Sequence, residues 1–516
     1  MLHVYVYPID TFIGGIPVGS EMETYIRAHT FYMSRDYEKD ERYTSGMWNG
    51  RVQLLQPQTT GPGWEVFDGA FHRIPTGLLT RLLGLLANAG WPVQVYNGVP
   101  GWKPNPTVPA FDNAKLKMRD YQDTARFTLL SNQPTALGIP NPRLGGVVQA
   151  GTGAGKTLIA AGLIELMRAR TVFLVNQKEL LTQTAKSFKK FLGVDIGKVG
   201  DSKCDIKPIT IATIQTVAAA LTMHLDPQAL LYGIETVPKY KEKLAIQQMM
   251  LDAELVFIDE CHGVASDTAF TAVSGAKNAV AVVGLSASPW RDDGTEILIE
   301  AACGPVVFKK SASELIEEGW LVRPDIWVCN MPDPADKNPD RAHQDYHKMY
   351  DAWTTTDERR HSFIVNTAWG HMERGDVVLV LVKRVPHGKR LQEMIPGSMF
   401  MEGELSTKKR EAILDKIRSG EIRCLIATSL ADQGLDVPRL NTLILAGGGK
   451  SSTKALQRIG RVLRPEDGDR AQPHEHATIY DIVDKQPVMK RHYNTRLGMY
   501  RSEHMFRIHQ HQVVLS

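Results

Sequence analysis

Cysteine is scarce in this sequence. Its 516 residues contain five cysteines, and no two of them form a CxxC pair. Structural zinc sites and disulfide frameworks both need cysteines at paired spacings, so we expect neither kind of site. A chain without a disulfide framework fits a reducing compartment, and the cytoplasm is therefore the expected location.

Long apolar runs are absent as well. The most apolar segments, AVAVVGLSA and VVLVLV, are far shorter than the ~20 residues that a membrane-spanning helix needs. Residues 1–10 show neither a basic lead nor a long apolar segment, so we expect no targeting signal and no membrane partner. The net charge of +3 neither indicates nor excludes a polyanionic partner, because a balanced total can hide a basic surface on one domain.

The composition is that of a globular protein, with 43% hydrophobic and 23% charged residues in a chain long enough for several domains. Residues 1–110 combine short alternating strands with a leucine-rich helix in PTGLLTRLLGLLANAG, and they predict a small α+β accessory domain. The segment 97–113 is rich in proline and glycine and lacks periodicity, which indicates a domain boundary.

Two consecutive α/β regions follow. In residues 114–315, apolar runs such as GGVVQA, TVFLVN and ELVFIDE alternate with helix-length segments, and residues 320–484 repeat this pattern with VVLVLV, RCLIATS and TLILAG. Such runs predict doubly wound sheets of parallel strands buried on both faces. Residues 485–516 form a predicted basic helical tail with six Lys/Arg and one Glu. The spacer 224–252 predicts a helix in its second half.

The most specific chemical signal is AGTGAGKT, between the strand run GGVVQ and the helical segment LIAAGLIELMRA. Glycines in such a loop let backbone N–H groups surround a phosphate, the lysine reaches phosphate oxygens, and the hydroxyl ligates magnesium. Ala150 replaces the first glycine of the strict pattern, at a position that supplies backbone shape only. The alternative, a chance glycine-rich turn, leaves the strand–loop–helix order unexplained. The expected nucleotide-binding residues are Gly151, Thr152, Gly153, Ala154, Gly155, Lys156 and Thr157.

A second signal is ELVFIDECH, an apolar strand that ends in Asp259 and Glu260. Ligands of open parallel sheets bind at the carboxyl ends of the strands, so these carboxylates are expected beside the nucleotide. Asp259 and Thr157 would hold magnesium, and Glu260 would activate water as a general base. The alternative reading is a capping Asp and a salt-bridged Glu. ATP with Mg²⁺ is the expected cofactor, and no other metal is expected.

Five segments, AGTGAGKT, DECH, GLSASPWR, ATSLADQGLDVP and QRIGRVLR, occur in this order and resemble motifs I, II, III, V and VI of superfamily 2 helicases. The resemblance covers about residues 114–484. It implies a pair of RecA-like domains with ATP in the cleft between them. It also implies an ATP hydrolase that moves along nucleic acid.

The resemblance assigns further roles in the first α/β region. Gln122, in LKMRDYQD, resembles the glutamine that reads adenine, with Arg119 and Tyr121 beside the base. An ordinary helix start is the alternative reading of this short segment. Ser286 and Ser288 occupy the position of the motif that couples hydrolysis to movement, and a polar strand end is the alternative there.

In the second α/β region, QRIGRVLR resembles a helix that supplies arginines across the nucleotide cleft. Such arginines stabilise charge on a transferred phosphoryl group, whereas the alternative is an exposed arginine-rich face. The residues assigned this role are Gln457, Arg461 and Arg464. Gly434 and Asp436 resemble the nucleotide-side residues of motif V.

Contacts with nucleic acid are also implied by the resemblance. Hydroxyls, amides and a few cations at strand ends suit contacts with a phosphate backbone, which position a strand without reading its sequence. For each residue, a helix cap or a solvated loop position is the alternative. The expected residues are Gln177, Lys178, Thr213, Gln215, Lys383, His387 and Thr428.

The segment GMWNGRVQLL, residues 46–55, contains an Asn-Gly pair and predicts a tight hairpin in which Val52 and Leu54 face the leucine-rich helix. Trp48 is then either a core anchor or an exposed ring for stacking on bases. With RYTS before it and the leucine helix after it, this segment resembles the amino-terminal domain of the UvsW-type branched-DNA helicases of bacteriophages. The segments VKRVPHGKRL and MEGELSTKKRE agree with this resemblance.

The UvsW-type resemblance implies a DNA-dependent ATPase and helicase that tracks 3′ to 5′ and remodels forks, Holliday junctions and R-loops in phage recombination, repair or replication. Its expected partners are single-stranded and branched DNA, with RNA in R-loops, and the expected state is a monomer in the host-cell cytoplasm. Two other functions stay open, the motor of a restriction or repair assembly and an ATP-gated binding module with little turnover. Because residues 1–110 carry eight Lys/Arg and nine Asp/Glu, any DNA contact there is expected near Arg42, Arg51 and Arg73.

Overall fold

The chain divides into two compact units in a computed structural model. The first unit contains residues 1–150 and 155–309, and the second contains residues 151–154 and 310–516. The structure describes residues 1–34, 38, 40–45, 47, 49–59, 71–111, 116–131, 135–223, 238–264, 267–287, 295–332, 350–403, 405–428, 440–447, 459–460, 462–463, 471, 475–484 and 486–513.

The first unit opens with a five-stranded mixed sheet. The sheet order is β5-β6-β2-β1-β7, in which β1 pairs antiparallel with β2 and parallel with β7. The mixture of strands and helices agrees with the α+β prediction. The elements are β1 (Leu2–Val6), β2 (Asp10–Gly14), α1 (Glu21–His29), β3 (Phe31–Met33), α2 (Glu41–Thr44), β4 (Arg51–Gln53), β5 (Gln56–Pro57), β6 (Phe71–Pro75), α3 (Leu79–Asn88) and β7 (Val93–Asn97).

The predicted leucine-rich helix is α3. Its fully buried leucines, Leu79, Leu82, Leu83 and Leu86, recur at intervals of three and four residues and so share one helix face. They join the alternate residues of β1 and β2 in one apolar cluster. Burial of each leucine stabilises the fold by roughly 2 kcal/mol relative to an exposed side chain. One face of the five-stranded sheet is thereby fixed as the inner face.

The predicted Asn-Gly hairpin is wrong in its pairing. Strand β4 pairs antiparallel with β3, with Tyr32 opposite Val52, and not with the residues just before Asn49. Gly50 does adopt a positive φ of 77°, which favours glycine, but it lies at the entry to β4. Leu54 packs against the cluster that contains the leucine helix, as predicted, and Leu55 is buried within that cluster. Trp48 lies outside the described residues.

The first unit continues with an eight-stranded sheet of order β11-β10-β12-β9-β13-β14-β8-β15. The strands predicted from apolar runs are confirmed and pair in parallel with one another. The elements are α4 (Asp120–Leu130), β8 (Leu144–Ala150), α5 (Lys156–Met167), β9 (Thr171–Val175), α6 (Lys178–Leu192), β10 (Gly197–Gly200), β11 (Lys203–Asp205), β12 (Ile209–Thr213), α7 (Ile214–Leu221), α8 (Pro238–Leu251), β13 (Leu255–Asp259), α9 (Asp267–Ser274), β14 (Ala281–Ser286), α10 (Glu296–Cys303) and β15 (Val306–Lys310).

Within the first unit, the two sheets share a packed boundary. Ile9 belongs to the apolar cluster of the eight-stranded sheet, and Phe270 packs against the cluster of the five-stranded sheet. The buried Arg143 guanidinium donates to the carbonyl oxygens of Pro8 and Ala302 at 3.3 and 3.2 Å. Burial lowers the pKa of Arg143 to about 10. These contacts bind residues 1–110 tightly to the larger sheet.

The second unit contains a seven-stranded sheet of order β18-β19-β17-β20-β21-β16-β22, in which all neighbours are parallel. This arrangement confirms the second doubly wound region. The elements are α11 (Ala312–Glu317), β16 (Pro324–Asn330), α12 (Glu358–Glu373), β17 (Val377–Val382), α13 (Val385–Met394), β18 (Ser398–Met401), α14 (Thr407–Arg418), β19 (Cys424–Thr428), β20 (Leu440–Leu445), β21 (Ala477–Val483), α15 (Pro487–Ser502) and β22 (Arg507–Gln512).

The carboxyl-terminal tail is helical only in its first half. The predicted helix is present as α15, but the residues that follow form β22, an edge strand paired with β16. The His509 ring stacks on Trp327 of β16 at 4.4 Å and accounts for part of this pairing. Between helix and strand, the Glu503 carboxylate accepts hydrogen bonds from the backbone N–H and hydroxyl of Ser313 at 2.8 and 2.7 Å. The tail is therefore an integral part of the second unit.

Among the described residues, no helix combines the length and the apolar character needed to cross a membrane. The five cysteines are free thiols. In the same residues, no group of three or more His, Cys, Asp and Glu side chains is arranged to hold a metal ion.

Candidate functional site

The loop after β8 has the conformation of a phosphate-binding loop. Gly153 and Gly155 adopt positive φ values of 90° and 73°, which glycine tolerates without strain. Helix α5 begins immediately afterwards at Lys156, so backbone N–H groups at a helix N-terminus and a cation lie together. The Lys156 ammonium donates to the Ala150 carbonyl at 3.2 Å. The loop is therefore shaped for an anion such as a nucleotide phosphate.

Gln122 lies against this loop. A Cβ built on Gly155 would come within 2.4 Å of the Gln122 amide nitrogen, so the glycine makes room for the glutamine. The amide oxygen of Gln122 accepts the Arg119 backbone N–H at 2.9 Å, which fixes the side chain at the first turn of α4. The Arg119 guanidinium in turn donates to the Tyr121 hydroxyl at 3.2 Å. The structure thus brings the three residues of LKMRDYQD together beside the phosphate loop.

Two carboxylates lie at the carboxyl end of strand β13 in the same sheet. Strand β13 finishes at Asp259, and Glu260 follows with a positive φ of 49°, a conformation that non-glycine residues seldom adopt. The Glu260 backbone N–H donates to Asp259 Oδ1 at 3.1 Å. Burial, followed by repulsion from the Glu260 carboxylate, raises the pKa of Asp259 to about 7, with the Lys156 ammonium opposing the shift. The positive φ of Glu260 accompanies two carboxylates that lie close enough to repel each other.

His262 connects these carboxylates to the next strand. Its Nδ1 lies 3.4 Å from Glu260 Oε2 and 3.2 Å from the Ser286 hydroxyl at the end of β14. Strand β14 lies between β13 and β8 in the sheet, so Ser286 sits between the carboxylates and the phosphate loop. The resemblance of the sequence to helicases implied a coupling role for Ser286 but none for His262. Its position as the fourth residue of the DECH motif is the sequence feature that could have identified His262.

Magnesium fits the donors present at this edge. The carboxylate of Asp259 and the hydroxyl of Thr157 are oxygen ligands, which Mg²⁺ prefers. They lie at the same edge of the sheet, one at the end of β13 and one at the start of α5, which follows β8. A cation at Asp259 would also offset the carboxylate repulsion described above.

Four expected nucleic-acid contacts lie at the carboxyl ends of β9 and β12. Gln177 and Lys178 begin α6, and the Lys178 side chain is 72% exposed although its ammonium lies 3.6 Å from Asp201. The exposed Gln215 donates to the Asn176 carbonyl at 3.2 Å and so joins the two loops. Thr213 is buried, and its hydroxyl donates to the Thr216 hydroxyl at 2.8 Å. Lys178 and Gln215 are thus the accessible members of this set.

The remaining three expected nucleic-acid contacts lie in the second unit and differ in their exposure to solvent. Lys383 is exposed and lies 5.4 Å from the centre of the Tyr350 ring, whereas Thr428 is buried at the end of β19. The expectation for His387 is corrected, because its ring is fully buried in α13. Burial, with the nearby Arg360 and His361, lowers the pKa of His387 to about 3. A neutral buried ring packs the helix and does not contact phosphate.

Several expected site residues lie outside the described residues. They are Ser288 of the SAS segment, Gly434 and Asp436 of motif V, and Gln457, Arg461 and Arg464 of motif VI.

Two sequence families match the chain. Residues 115–291 match the family described as "Type III restriction enzyme, res subunit", and residues 361–466 match the "Helicase conserved C-terminal domain". The two matches together cover more than half of the chain, and each falls on one of the two parallel sheets.

Curated relatives share 24 to 27% identity with this chain. Putative helicase 22 of Sulfolobus islandicus filamentous virus is 27% identical over 67% of this chain, and the match spans 62% of that viral protein's length. DNA 3′-5′ translocase XPB2 of Sulfurisphaera tokodaii is 24% identical over 72% of this chain and 82% of its own length.

The ATP-dependent DNA helicase uvsW of phage T4 is 25% identical over 90% of this chain and 89% of its own length. Its match therefore extends beyond the two helicase segments. The two RecA-like sheets, the phosphate loop beside paired carboxylates and the two family matches support a superfamily 2 helicase that resembles UvsW.

Proposed function

We propose that this chain is a DNA-dependent ATPase that translocates 3′ to 5′ and remodels branched DNA such as forks, Holliday junctions and R-loops. The observation that carries the proposal is the similarity to T4 uvsW, which spans 90% of this chain and 89% of that helicase. A match of this extent includes sequence outside the two helicase segments. The proposed direction of translocation is supported by XPB2, a relative whose name describes a 3′-5′ translocase.

The chemistry follows from residues of the first unit. Lys156 and the N-terminus of α5 attract the phosphates, and Glu260 accepts a proton from the attacking water. As the water oxygen bonds to the γ-phosphorus, the bond to the bridging oxygen breaks, so ADP and phosphate leave. A positioned general base contributes about 10²- to 10⁴-fold to such a step. Magnesium held by Asp259 and Thr157 would neutralise negative charge on the phosphates.

Coupling to movement is assigned to the link between His262 and Ser286. Because Nδ1 of His262 lies within 3.4 Å of Glu260 and 3.2 Å of Ser286, a change at the carboxylate alters a contact on the adjacent strand. In this proposal Gln457, Arg461 and Arg464 supply charge from the second RecA-like region, and Gly434 and Asp436 contact the nucleotide. Lys178, Gln215, Lys383 and Thr428 belong to the proposed DNA track, with Gln177 and Thr213 shaping its loops.

A strand-separation panel tests the proposal. It contains a Holliday junction, a fork, an R-loop, an RNA duplex and linear DNA duplexes with a 3′ or a 5′ overhang, each with ATP. We expect junctions and forks to be processed faster than linear duplexes, and the 3′ overhang faster than the 5′ overhang. Lys156→Ala is the matched control and should abolish every reaction. Equal rates on branched and linear DNA would contradict the branched-DNA assignment.

One alternative is the motor of a restriction or repair assembly. It is favoured by the match of residues 115–291 to the res subunit family. Under this alternative, the chain co-purifies with a nuclease in fixed stoichiometry and its ATPase depends on that partner. The ATP-gated binding module would instead show no DNA-stimulated turnover, although the chain carries Glu260 in the position of a general base.

A further inference from the structure

The face of the five-stranded sheet opposite α3 has an unusual composition. On the inner face, Val4, Val6, Ile13 and Ile74 are fully buried, so their strand neighbours point to the outer face. Solvent-facing positions of such sheets are usually polar. Here three of the five residues in one cross-strand row are aromatic, although aromatic residues make up 8% of the chain. We call this outer face the aromatic face.

The row crosses every strand of the sheet. Gln56 lies opposite Arg73, Arg73 opposite Phe12, Phe12 opposite Tyr5, and Tyr5 opposite Tyr96. Residues opposite each other on adjacent strands project from the same face, so the five side chains form one continuous line. The line runs from a guanidinium and an amide at one edge to a tyrosine on the other edge strand.

Two of the three rings in the line are parallel to each other. Tyr5 and Tyr96 stack with centroids 4.7 Å apart and an angle of 10° between their planes. His3 continues the stack on Tyr96 at 5.8 Å and 13°. Tyr7 meets Phe12 edge to face at 6.0 Å on the other side of the row. Tyr96 is 37% exposed, because β7 is an edge strand.

The charge near the row is positive. Arg73 and Lys277 both approach the single carboxylate of Asp10, at 3.8 and 3.0 Å. Their side chains are 40% and 51% exposed, so one cation remains in excess at this end of the row. A row that combines a stacked pair of rings with exposed cations offers stacking to bases and attraction to phosphates.

We propose that the aromatic face binds a single-stranded segment of DNA, with bases stacking on Tyr5 and Tyr96 and a phosphate near Arg73. This inference rests on the proposed function, because the bound segment would be the unpaired strand of a branch. It places the contact of residues 1–110 on this sheet face. Of the three arginines expected from the sequence, Arg73 alone belongs to the row.

Duplex DNA does not fit this chemistry as well. Paired bases keep their flat faces inside the helix, whereas an unpaired strand exposes them to aromatic rings. The strength of such a contact depends on ring planarity and not on the phenolic hydroxyl. Tyrosine to phenylalanine changes should therefore preserve binding, and tyrosine to leucine changes should remove the stacking surface.

The test uses the full chain, because Ile9 and the carbonyl of Pro8 are part of the boundary with the larger sheet. Affinity is measured by fluorescence anisotropy for a fork with a thymidine single-stranded arm and for the matching blunt duplex. We expect Tyr5→Leu with Tyr96→Leu to weaken fork binding about tenfold or more, since each base–ring stack is worth about 1–3 kcal/mol. The Tyr5→Phe and Tyr96→Phe pair should bind like the unmodified chain.

Phe127→Leu is the matched control, since Phe127 is an aromatic residue of α4 that is 56% exposed and lies outside the aromatic face. A second measurement is photocrosslinking of an arm that carries 5-iodouracil, followed by mass spectrometry of the linked peptide. Crosslinks to the peptides that contain Tyr5 or Tyr96 support the proposal. Unchanged fork affinity in the leucine variant, or crosslinks confined to other peptides, would overturn it.

The two proposals can fail separately. If the unmodified chain binds the arm through Tyr5 and Tyr96 but does not prefer branched substrates in strand separation, the proposed function fails and the aromatic face stands. If the leucine variant binds forks and processes them at the original rate, the aromatic face is excluded as a DNA site and the proposed function stands.

Discussion

The two parallel sheets use buried charge in opposite ways. At the edge of the eight-stranded sheet, Asp259 and Glu260 are adjacent carboxylates, and burial with their repulsion raises the pKa of Asp259 to about 7. In the seven-stranded sheet, the Asp481 carboxylate accepts hydrogen bonds from Arg496 at 2.9 and 2.8 Å and from the Tyr500 hydroxyl at 2.9 Å. The first arrangement places two negatively charged groups next to each other. The second neutralises the charge of its carboxylate with a guanidinium and a hydroxyl.

This difference separates the proposed reactive site from a structural one within the same type of fold. Groups held in an unfavourable electrostatic state tend to mark functional sites, because they are poised to bind a cation or a proton. A buried carboxylate matched by a guanidinium and a hydroxyl instead ties a helix to its sheet. Here Arg496 and Tyr500 of α15 attach the carboxyl-terminal helix to β21.

The largest expected effect is on catalysis at the carboxylate pair. Glu260→Gln should lower ATP turnover by about 10²- to 10⁴-fold, because the amide cannot accept the proton of the attacking water. Nucleotide binding and thermal stability should be retained, since one of two repelling charges is removed. Phosphate release, nucleotide affinity and thermal unfolding are measured together. Turnover at the original rate would show that Glu260 is not the base.

The next effect concerns the neutralised carboxylate. Asp481→Leu should lower the free energy of unfolding by about 3–5 kcal/mol, because it leaves Arg496 as a buried cation without its carboxylate. Asp259→Asn is the matched variant of the other sheet and should not destabilise the protein at pH 8, because the raised pKa of Asp259 means that its charged form opposes folding. Urea unfolding measures the free energy of unfolding of both variants.

Unchanged stability of Asp481→Leu, or unfolding of the Asp259→Asn protein, would contradict the expected difference between the two sheets. The double change Asp481→Leu with Arg496→Met provides a further check, because it removes both charges. It should recover much of the stability lost by Asp481→Leu alone.

The third effect is a pH dependence carried by His387. Burial with the nearby Arg360 and His361 lowers its pKa from an ordinary 6.5 to about 3. The unfolded chain therefore takes up a proton near pH 6.5 that the folded chain refuses, and stability is lost as the pH falls through this range. Between pH 7 and pH 5 the free energy of unfolding should fall by about 2 kcal/mol from this group.

His387→Phe should flatten this pH dependence, while replacement of the exposed His29 by Gln should leave it unchanged. Both are measured by urea unfolding at pH 7 and pH 5. Since the ring is buried, His387→Phe should also leave DNA affinity unchanged. A loss of DNA affinity in a stable His387→Phe protein would restore the nucleic-acid role first expected from the sequence.

The smallest effect is expected at the link between strands. Ser286→Ala removes the hydroxyl that lies 3.2 Å from His262 and should cost about 1 kcal/mol, or roughly fivefold, in the coupled step. Strand separation per ATP hydrolysed should fall more than ATP hydrolysis itself. Ser274→Ala, at a hydroxyl that donates to the Thr271 carbonyl away from the carboxylates, is the control. An equal effect of both variants would assign Ser286 a purely structural role.

The sequence predicted the parts of the fold whose pattern is local. Buried parallel strands are continuous apolar runs, and the phosphate loop requires glycine where φ is positive, so β13 and Gly155 could be located from residues alone. The contact of His262 with Ser286 could not, because it depends on which strands become neighbours. The burial of His387 and the pairing of β4 with β3 likewise depend on packing partners distant in the sequence.

The cross-strand row of Tyr5, Phe12 and Tyr96 shows the same limit. These residues are 7 and 84 positions from one another along the chain, and they align because β2 and β7 both pair with β1. Composition identified no DNA-binding surface in residues 1–110, since their charges nearly cancel. The sheet register brings together the residues of the proposed DNA-binding surface.

Steady-state phosphate release with and without single-stranded DNA is the measurement that decides whether this site drives a DNA-dependent motor. We expect DNA to raise the ATPase rate of the unmodified chain many-fold, and we expect Lys156→Ala and Glu260→Gln to abolish the DNA-stimulated rate. Phosphate release that is unaffected by DNA, or that persists in Lys156→Ala, would contradict the assignment of a DNA-driven motor to this site.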